Sequence, residues 1–100
     1  MKLAFLFYHD VLDDRVVKFL DELKIDTYSE LEKVRGKFHD TDPHLGTRTF
    51  PGYYMVKLLP FTDETVLNKL IEKVQHFNEK DALKKEDEMH IFLMPLERIV

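Results

Sequence analysis

Side chains that bind metal ions are concentrated in one short stretch of this 100-residue chain, HDTDPH at residues 39–44. His39 and His44 supply imidazoles and Asp42 supplies a carboxylate. Imidazole and carboxylate together suit divalent transition metals. We therefore predict that His39, Asp42 and His44 form a metal site, to which neighbouring copies of the chain could add ligands. The alternative is a solvated loop tip whose proline and nearby glycine only set turns.

The segment around this stretch is the part of the chain where backbone geometry is most demanding. Residues 34–59 hold all three glycines, two of the four prolines and two of the five histidines. Glycine and proline are typical of turns. The sequence therefore predicts a mobile loop, with the polar tip at residues 38–48 as its working surface.

The remaining histidines are weaker candidates for chemistry. His9 and His90 lie at or beside the ends of predicted strands and could face a cleft, although a hydrogen bond to a backbone carbonyl is the simpler interpretation. The chain has no nucleophile motif and no glycine-rich phosphate loop, so we predict that it is not an enzyme. The alternative is a small enzyme of the dimeric ferredoxin-like barrel class, with His9 or His90 in its pocket.

Composition limits the functional classes further. The formal net charge is −4 without a basic stripe, which argues against a nucleic-acid partner. No apolar run approaches the roughly 20 residues of a membrane helix, so we do not expect an integral membrane protein. Cysteine is absent, which excludes disulfides and thiolate metal sites and fits a cytoplasmic protein.

Hydrophobic patterning predicts four strands and two helices in one domain covering residues 1–100. A helix is expected after Asp10, which can cap it, and a second helix is expected near Asp63. One segment, residues 27–38, is ambiguous, because Tyr28, Leu31 and Val34 recur at helical spacing. The predicted strands are residues 2–8, 48–61 and 89–100, together with the ambiguous segment if it is extended.

This order predicts an α+β protein with the ferredoxin-like βαββαβ fold, in which two helices cover one face of a four-stranded antiparallel sheet. The strands offer apolar side chains to both faces, although the second face of such a sheet is normally polar. A fully exposed apolar face would exceed what a monomer usually shows. We therefore predict that copies of the chain cover it in a homo-oligomer.

The sequence resembles the PII-like signalling proteins, relatives of the nitrogen-regulatory PII family. Four pieces in the right order carry this resemblance. They are IDTYSELEKVRGK (residues 25–37), PHLGT (43–47), FPGYYMVKLL (50–59) and HIFLMPLERIV (90–100). The first is similar to the family's second strand at the start of its long T-loop, so the resemblance favours a strand in the ambiguous segment.

The resemblance implies a trimer that binds a small effector, often an adenine nucleotide, in clefts between subunits. Such proteins act through the T-loop on a partner such as a transporter or an enzyme. We expect the shorter loop at 38–48 to play that part here. The effector would be a nucleotide, an anion or a divalent metal, and a metal-tolerance protein similar to the CutA trimers is the alternative.

Effector-binding residues are expected at the loop base and the chain end. Gly36 and Lys37 begin the loop, Arg48 follows it and Arg98 lies near the C-terminal end. Guanidinium and ammonium groups suit carboxylate or phosphate. The sequence departs from the family before the last strand, where three acids at residues 86–88 replace a glycine-rich basic loop. Acidic side chains repel phosphate, which argues against the usual mode of nucleotide binding.

Overall fold

The computed structural model describes residues 1–100 and has the predicted element order. The elements are β1 (Lys2–His9), α1 (Asp13–Glu22), β2 (Ser29–Val34), β3 (Tyr54–Phe61), α2 (Glu64–Lys80) and β4 (His90–Pro95). The strands form one sheet in the order β2-β3-β1-β4, and every neighbouring pair is antiparallel. The fold is therefore ferredoxin-like, as the sequence predicted. No helix has the length and apolar character needed to cross a membrane.

The hydrophobic core lies between the sheet and the two helices. Alternate residues of β1 point into it, and all three are fully buried: Ala4, Leu6 and Tyr8. The helices contribute one apolar stripe each, because their buried residues recur at three- and four-residue spacing. Those residues are Val16, Phe19 and Leu20 of α1 and Leu67, Leu70, Val74 and Phe77 of α2.

The other side of the sheet, called the open face here, is also apolar. Strand register places the following residues on it: Leu3, Phe5 and Phe7 of β1, Leu31 of β2, Val56 and Leu58 of β3, and Phe92 and Met94 of β4. Three of these side chains are about half exposed, namely Leu31, Phe92 and Met94. A segment of the same chain covers part of the open face, which the sequence did not predict.

The ambiguous segment contains a strand, and a β-bulge explains the helical spacing of its last two apolar residues. Leu31 is paired with Val56 and Val34 with Tyr54, so three steps along β2 match two steps along β3. Lys33 at this irregularity has φ 56°. A bulge inserts one residue, so residues three apart return to the same face. The three-residue spacing of Leu31 and Val34 therefore arises from the bulge, whereas Tyr28 precedes the strand and its ring lies 5.1 Å from Lys57 Nζ on the other face.

The first helix begins differently from the prediction. Asp10 starts a short 3-10 turn over Asp10–Leu12, and Leu12 is the N-cap residue of α1 without a side-chain cap. The Asp10 carboxylate instead lies 3.5 Å from His9 Nε2. At α2 the cap is Asp63, whose carboxylate accepts a hydrogen bond from the Thr65 backbone N–H at 2.8 Å.

Candidate functional site

The connection between β2 and β3, residues 35–53, folds back on itself and is called the connecting loop here. Gly36 and His44 exchange two backbone hydrogen bonds of 2.9 Å each. Gly46 donates a third, also 2.9 Å, to the carbonyl of Gly52. These hydrogen bonds hold the loop closed at two positions, between Gly36 and His44 and between Gly46 and Gly52. The segment that the sequence predicted to be mobile is therefore anchored at its base.

Phe38 attaches the connecting loop to the open face. Its ring is stacked on the imidazole of His90, with the centroids 3.8 Å apart and the planes at 10°. It also meets the rings of Phe7 and Tyr54 edge-on, at 5.8 and 5.4 Å. Burial lowers the pKa of His90, while the nearby Glu88 carboxylate opposes that effect. The loop is thus held on the open face mainly by aromatic packing.

A second contact places His44 of the loop on His9 at the end of β1. The two imidazoles are stacked with centroids 4.2 Å apart and planes at 22°. His44 is only 6% exposed, and its Nδ1 lies 3.2 Å from the Pro51 carbonyl oxygen. Because a carbonyl only accepts, Nδ1 is the donating nitrogen in this contact. The Nε2 atom of His44 is buried and has no hydrogen-bond partner.

Close backbone approach at Gly52 makes room for the stacked histidines. Gly52 has φ 81°, and a Cβ at this position would lie 2.6 Å from His9 Nε2. It would also lie 3.4 Å from His44 Nδ1. Glycine is therefore required here both by the backbone conformation and by the neighbouring ring.

His9 lies between two carboxylates without a proper hydrogen bond to either. Its Nε2 is 3.5 Å from Asp10 Oδ1, and its Nδ1 is 3.8 Å from Asp87 Oδ1. The Nδ1 atom is buried and has no partner. Burial and the adjacent His44 lower the pKa of His9, and the two carboxylates oppose that effect. The imidazole is therefore mainly neutral near pH 7.

The stacked histidines border a small pocket of about 180 Å³ that is lined mostly by polar and charged residues. Lys84 is its one basic residue besides the histidines, and the acids Asp42, Glu86 and Asp87 also line it. Hydrogen bonds from its own backbone N–H and that of Asp42 lower the pKa of Glu86. The pocket therefore favours a cation over an anion.

Two hydrogen bonds between Asn78 and Met89 fix the turn that carries Glu86 and Asp87. The Asn78 side chain of α2 donates to the Met89 carbonyl at 2.9 Å and accepts from the Met89 N–H at 2.8 Å. Met89 is buried in the core. The turn at Lys85–Asp87 is thereby tied to α2 immediately before β4.

The side chains of the predicted metal ligands do not converge on one point within this chain. The side chain of His39 is 93% exposed and lies 3.1 Å from Asp40. Asp42 is exposed and donates its backbone N–H to Glu86, whereas His44 is buried against His9. No three His, Asp or Glu side chains are grouped so that they could hold an ion. The set His39, Asp42 and His44 stays a prediction that requires the loop to rearrange or a second subunit to contribute.

The predicted effector residues lie in two separate places. Gly36 is part of the closed loop base, and Lys37 and Arg48 are exposed on the same loop. Arg98 follows β4 at the opposite end of the sheet, because β4 runs antiparallel to β1 and its last residue pairs with Lys2. Within one chain these four residues therefore cannot form a single site.

The chain also buries an ion-pair network on the helix side of the sheet. Lys57 is 1% exposed, and its Nζ lies 2.5 Å from Glu30 and 3.2 Å from Asp13. Asp13 also accepts a 2.5 Å hydrogen bond from the Tyr8 hydroxyl. Burial would lower the pKa of Lys57, but the hydrogen bonds and charges of the two carboxylates raise it overall. The network joins the edge strand β2 to the start of α1.

Sequence reasoning missed Asp87 and Asn78 as parts of the site. Residues 9, 44, 52 and 87 are distant in sequence, and no spacing motif connects them. The one available signal was the Pro51–Gly52 pair beside a histidine-containing loop. That signal predicts a turn, but it does not indicate which side chain the turn approaches.

No family model and no curated protein matches the chain. Solved structures do match. One is CPII, a nitrogen regulatory PII-like protein from Thiomonas intermedia K12 bound to ADP, AMP and bicarbonate, with TM-score 0.72 and 15% identity. That match covers 93% of this chain and 82% of CPII. The apo form of CPII matches with TM-score 0.67 and 14% identity, over 93% of this chain and 85% of that one.

A protein of Thermus thermophilus named as PII-like and signalling also matches, with TM-score 0.56 and 12% identity over 93% of this chain and 82% of that one. None of these three structures is described as that of an enzyme. At such low identities the likeness is one of fold. The resemblance read from the sequence is confirmed at that level, and the chain has the fold of the PII-like proteins.

Proposed function

We propose that this chain, with its PII-like fold, is the subunit of a trimeric regulatory protein that binds a small effector in clefts between its subunits. In this proposal the loop at 38–48 transmits the effector state to a partner such as a transporter or an enzyme. We place the protein in the cytoplasm.

The observation that carries the proposal is the dual use of the open face. Its outer part leaves Leu31, Phe92 and Met94 half exposed, which suits burial against other copies. Its inner part is occupied by Phe38 of the chain's own connecting loop. Assembly and loop position therefore depend on one surface, so a ligand at the loop base can change both.

The candidate effectors are a nucleotide, a small anion and a metal. CPII was solved with ADP, AMP and bicarbonate, which supports the first two classes. Lys37 and Arg48 of one subunit, with Arg98 of a neighbour, are the residues we assign to an anionic effector. The acids at residues 86–88 weaken the case for a nucleotide phosphate, since they occupy the turn before β4.

The test combines solution mass with ligand screening. Native mass spectrometry and analytical ultracentrifugation should give three times the 12.0 kDa of one chain. ADP, AMP, bicarbonate and acetate are then screened by thermal shift, since a ligand that prefers the folded state raises the melting temperature. Arg48→Ala should abolish the shift of an anionic effector, and Lys69→Ala on the exposed surface of α2 is the control. A monomeric wild-type chain refutes the proposal.

A further inference from the structure

We infer that His9, Asp87 and His44 form a binding site for one divalent transition-metal ion beneath the connecting loop. The site is distinct from the loop-tip set, because it uses His9 and Asp87 in place of His39 and Asp42. All three donors belong to one chain, so the inference does not depend on the proposed trimer.

Two of the donors already have the spacing of ligands to one ion. His9 Nδ1 and Asp87 Oδ1 are 3.8 Å apart, too far for a hydrogen bond. Bonds from zinc to imidazole nitrogen and carboxylate oxygen are about 2.0–2.2 Å, so one ion between these atoms would make an angle of about 130° at the metal. The distance between these two atoms therefore matches that of two ligands of one ion.

The outer nitrogen of each histidine faces the kind of group that accompanies a ligating histidine. A ligating histidine commonly donates its other ring N–H to a carbonyl or a carboxylate, which fixes the tautomer. His44 Nδ1 faces the Pro51 carbonyl at 3.2 Å, and His9 Nε2 faces the Asp10 carboxylate at 3.5 Å. In each ring the other nitrogen is buried without a partner. A buried ring nitrogen without a partner is costly, and His9 Nδ1 in addition faces the Asp87 carboxylate, so a cation between these two atoms would remove that cost.

The charge of the surrounding pocket agrees with a cation. Asp42, Glu86 and Asp87 line it against one basic side chain, Lys84. Imidazole nitrogen as a donor selects a transition metal over magnesium or calcium, which prefer oxygen. Water completes the coordination, since the pocket is open on one side.

To become the third donor, the His44 side chain must change its rotamer and give up the Nδ1 contact with the Pro51 carbonyl. In the closed loop its ring is stacked on His9, and the three donors do not yet surround one point. The backbone hydrogen bonds between Gly36 and His44 do not involve the ring, so the loop base stays closed while the His44 side chain turns.

The experiment is a titration of the untagged chain with Co²⁺ and Zn²⁺, followed by isothermal calorimetry and by the visible absorption of Co²⁺, which reports coordination number and geometry. We expect one ion per chain. His9→Ala and Asp87→Asn should each weaken binding at least tenfold. The control variant His76→Ala, on an exposed histidine, should stay within twofold of the wild type, and His39→Ala distinguishes this site from the loop-tip set.

Three results would overturn the inference. They are no binding at millimolar ion, unchanged affinity in Asp87→Asn, and a loss confined to His39→Ala, which would place the ion at the loop tip. Asp87→Asn keeps the size of the side chain, so it decides the matter if His9→Ala fails to fold. The solution mass is measured in parallel, so failure of the trimer and failure of the metal site are recorded separately.

Discussion

Replacing Phe92 with aspartate tests whether the open face is an assembly surface. Phe92 is 50% exposed and lies in the row that crosses the sheet through Phe5 and Leu58. A phenylalanine buries about 150–250 Å² when it is covered completely, so the exposed half is about 100 Å². At about 25 cal/mol per Å², covering it would stabilise the assembly by about 2.5 kcal/mol per subunit.

Phe92→Asp loses this stabilisation of the assembly and adds a larger destabilising contribution. An unpaired carboxylate buried between subunits costs several kcal/mol further per chain. Within the monomer the loss is smaller, because the ring contacts Phe7 at 5.1 Å and Phe38 at 5.9 Å, each worth about 1 kcal/mol. Assembly should therefore fail while the subunit stays folded.

The assay is analytical ultracentrifugation at micromolar concentration with far-ultraviolet circular dichroism of the same samples. We expect Phe92→Asp to sediment as a folded monomer and the wild type as a trimer. Leu83→Asp is the matched control, because Leu83 is 93% exposed and lies outside the sheet. If Phe92→Asp keeps the wild-type mass, the open face is not the assembly surface and the reasoning is wrong.

Three further predictions concern single residues. Gly52→Ala should lower the free energy of unfolding, measured by urea titration, by about 1–3 kcal/mol, because Gly52 has a positive φ and its added Cβ would lie 2.6 Å from His9. The control Gly36→Ala, whose added Cβ would be 3.7 Å from Tyr54, should change it by less than about 0.5 kcal/mol. Lys57→Met should cost about 2 kcal/mol in urea at pH 7, because it leaves two carboxylates without their cation; a loss no larger than that of the exposed-site control Lys69→Met would contradict this. His90→Phe should reduce the loss of stability on acidification. Burial lowers the pKa of His90 in the folded state, so the contribution of the neutral imidazole to stability is complete above the unfolded-state pKa of about 6.5 and declines as the pH falls below that value. Unfolding free energies at pH 7.5 and 5.0 measure that slope, and an unchanged slope in His90→Phe would count against the explanation.

Element type could be predicted largely from local pattern. The α2 stripe has a period near 3.6 over 17 residues, and the continuous apolar run of β1 fits a strand covered on both sides. The bulged strand β2 was the exception, because Leu31 and Val34 have helical spacing. Its extended form depends on pairing with β3 and on the Lys57–Glu30 ion pair, neither of which local pattern contains.

The candidate site was predictable only in part. The sequence placed the loop and identified His44, and it gave His9 a minor role. The sequence did not indicate that His44 stacks on His9 beneath the loop, or that Asp87 lies opposite His9 Nδ1. These contacts join residues that are tens of positions apart, and side-chain spacing along the chain carries no information about such distances.

The sequence by itself determined the fold class and the excess of apolar surface, because periodicity and side-chain chemistry act over a few neighbouring residues. Only the tertiary structure decided how that surface is shared between Phe38 and the exposed positions of the open face. It also decided which nitrogen atoms are left buried without partners, because solvent exclusion depends on every element that closes around a group.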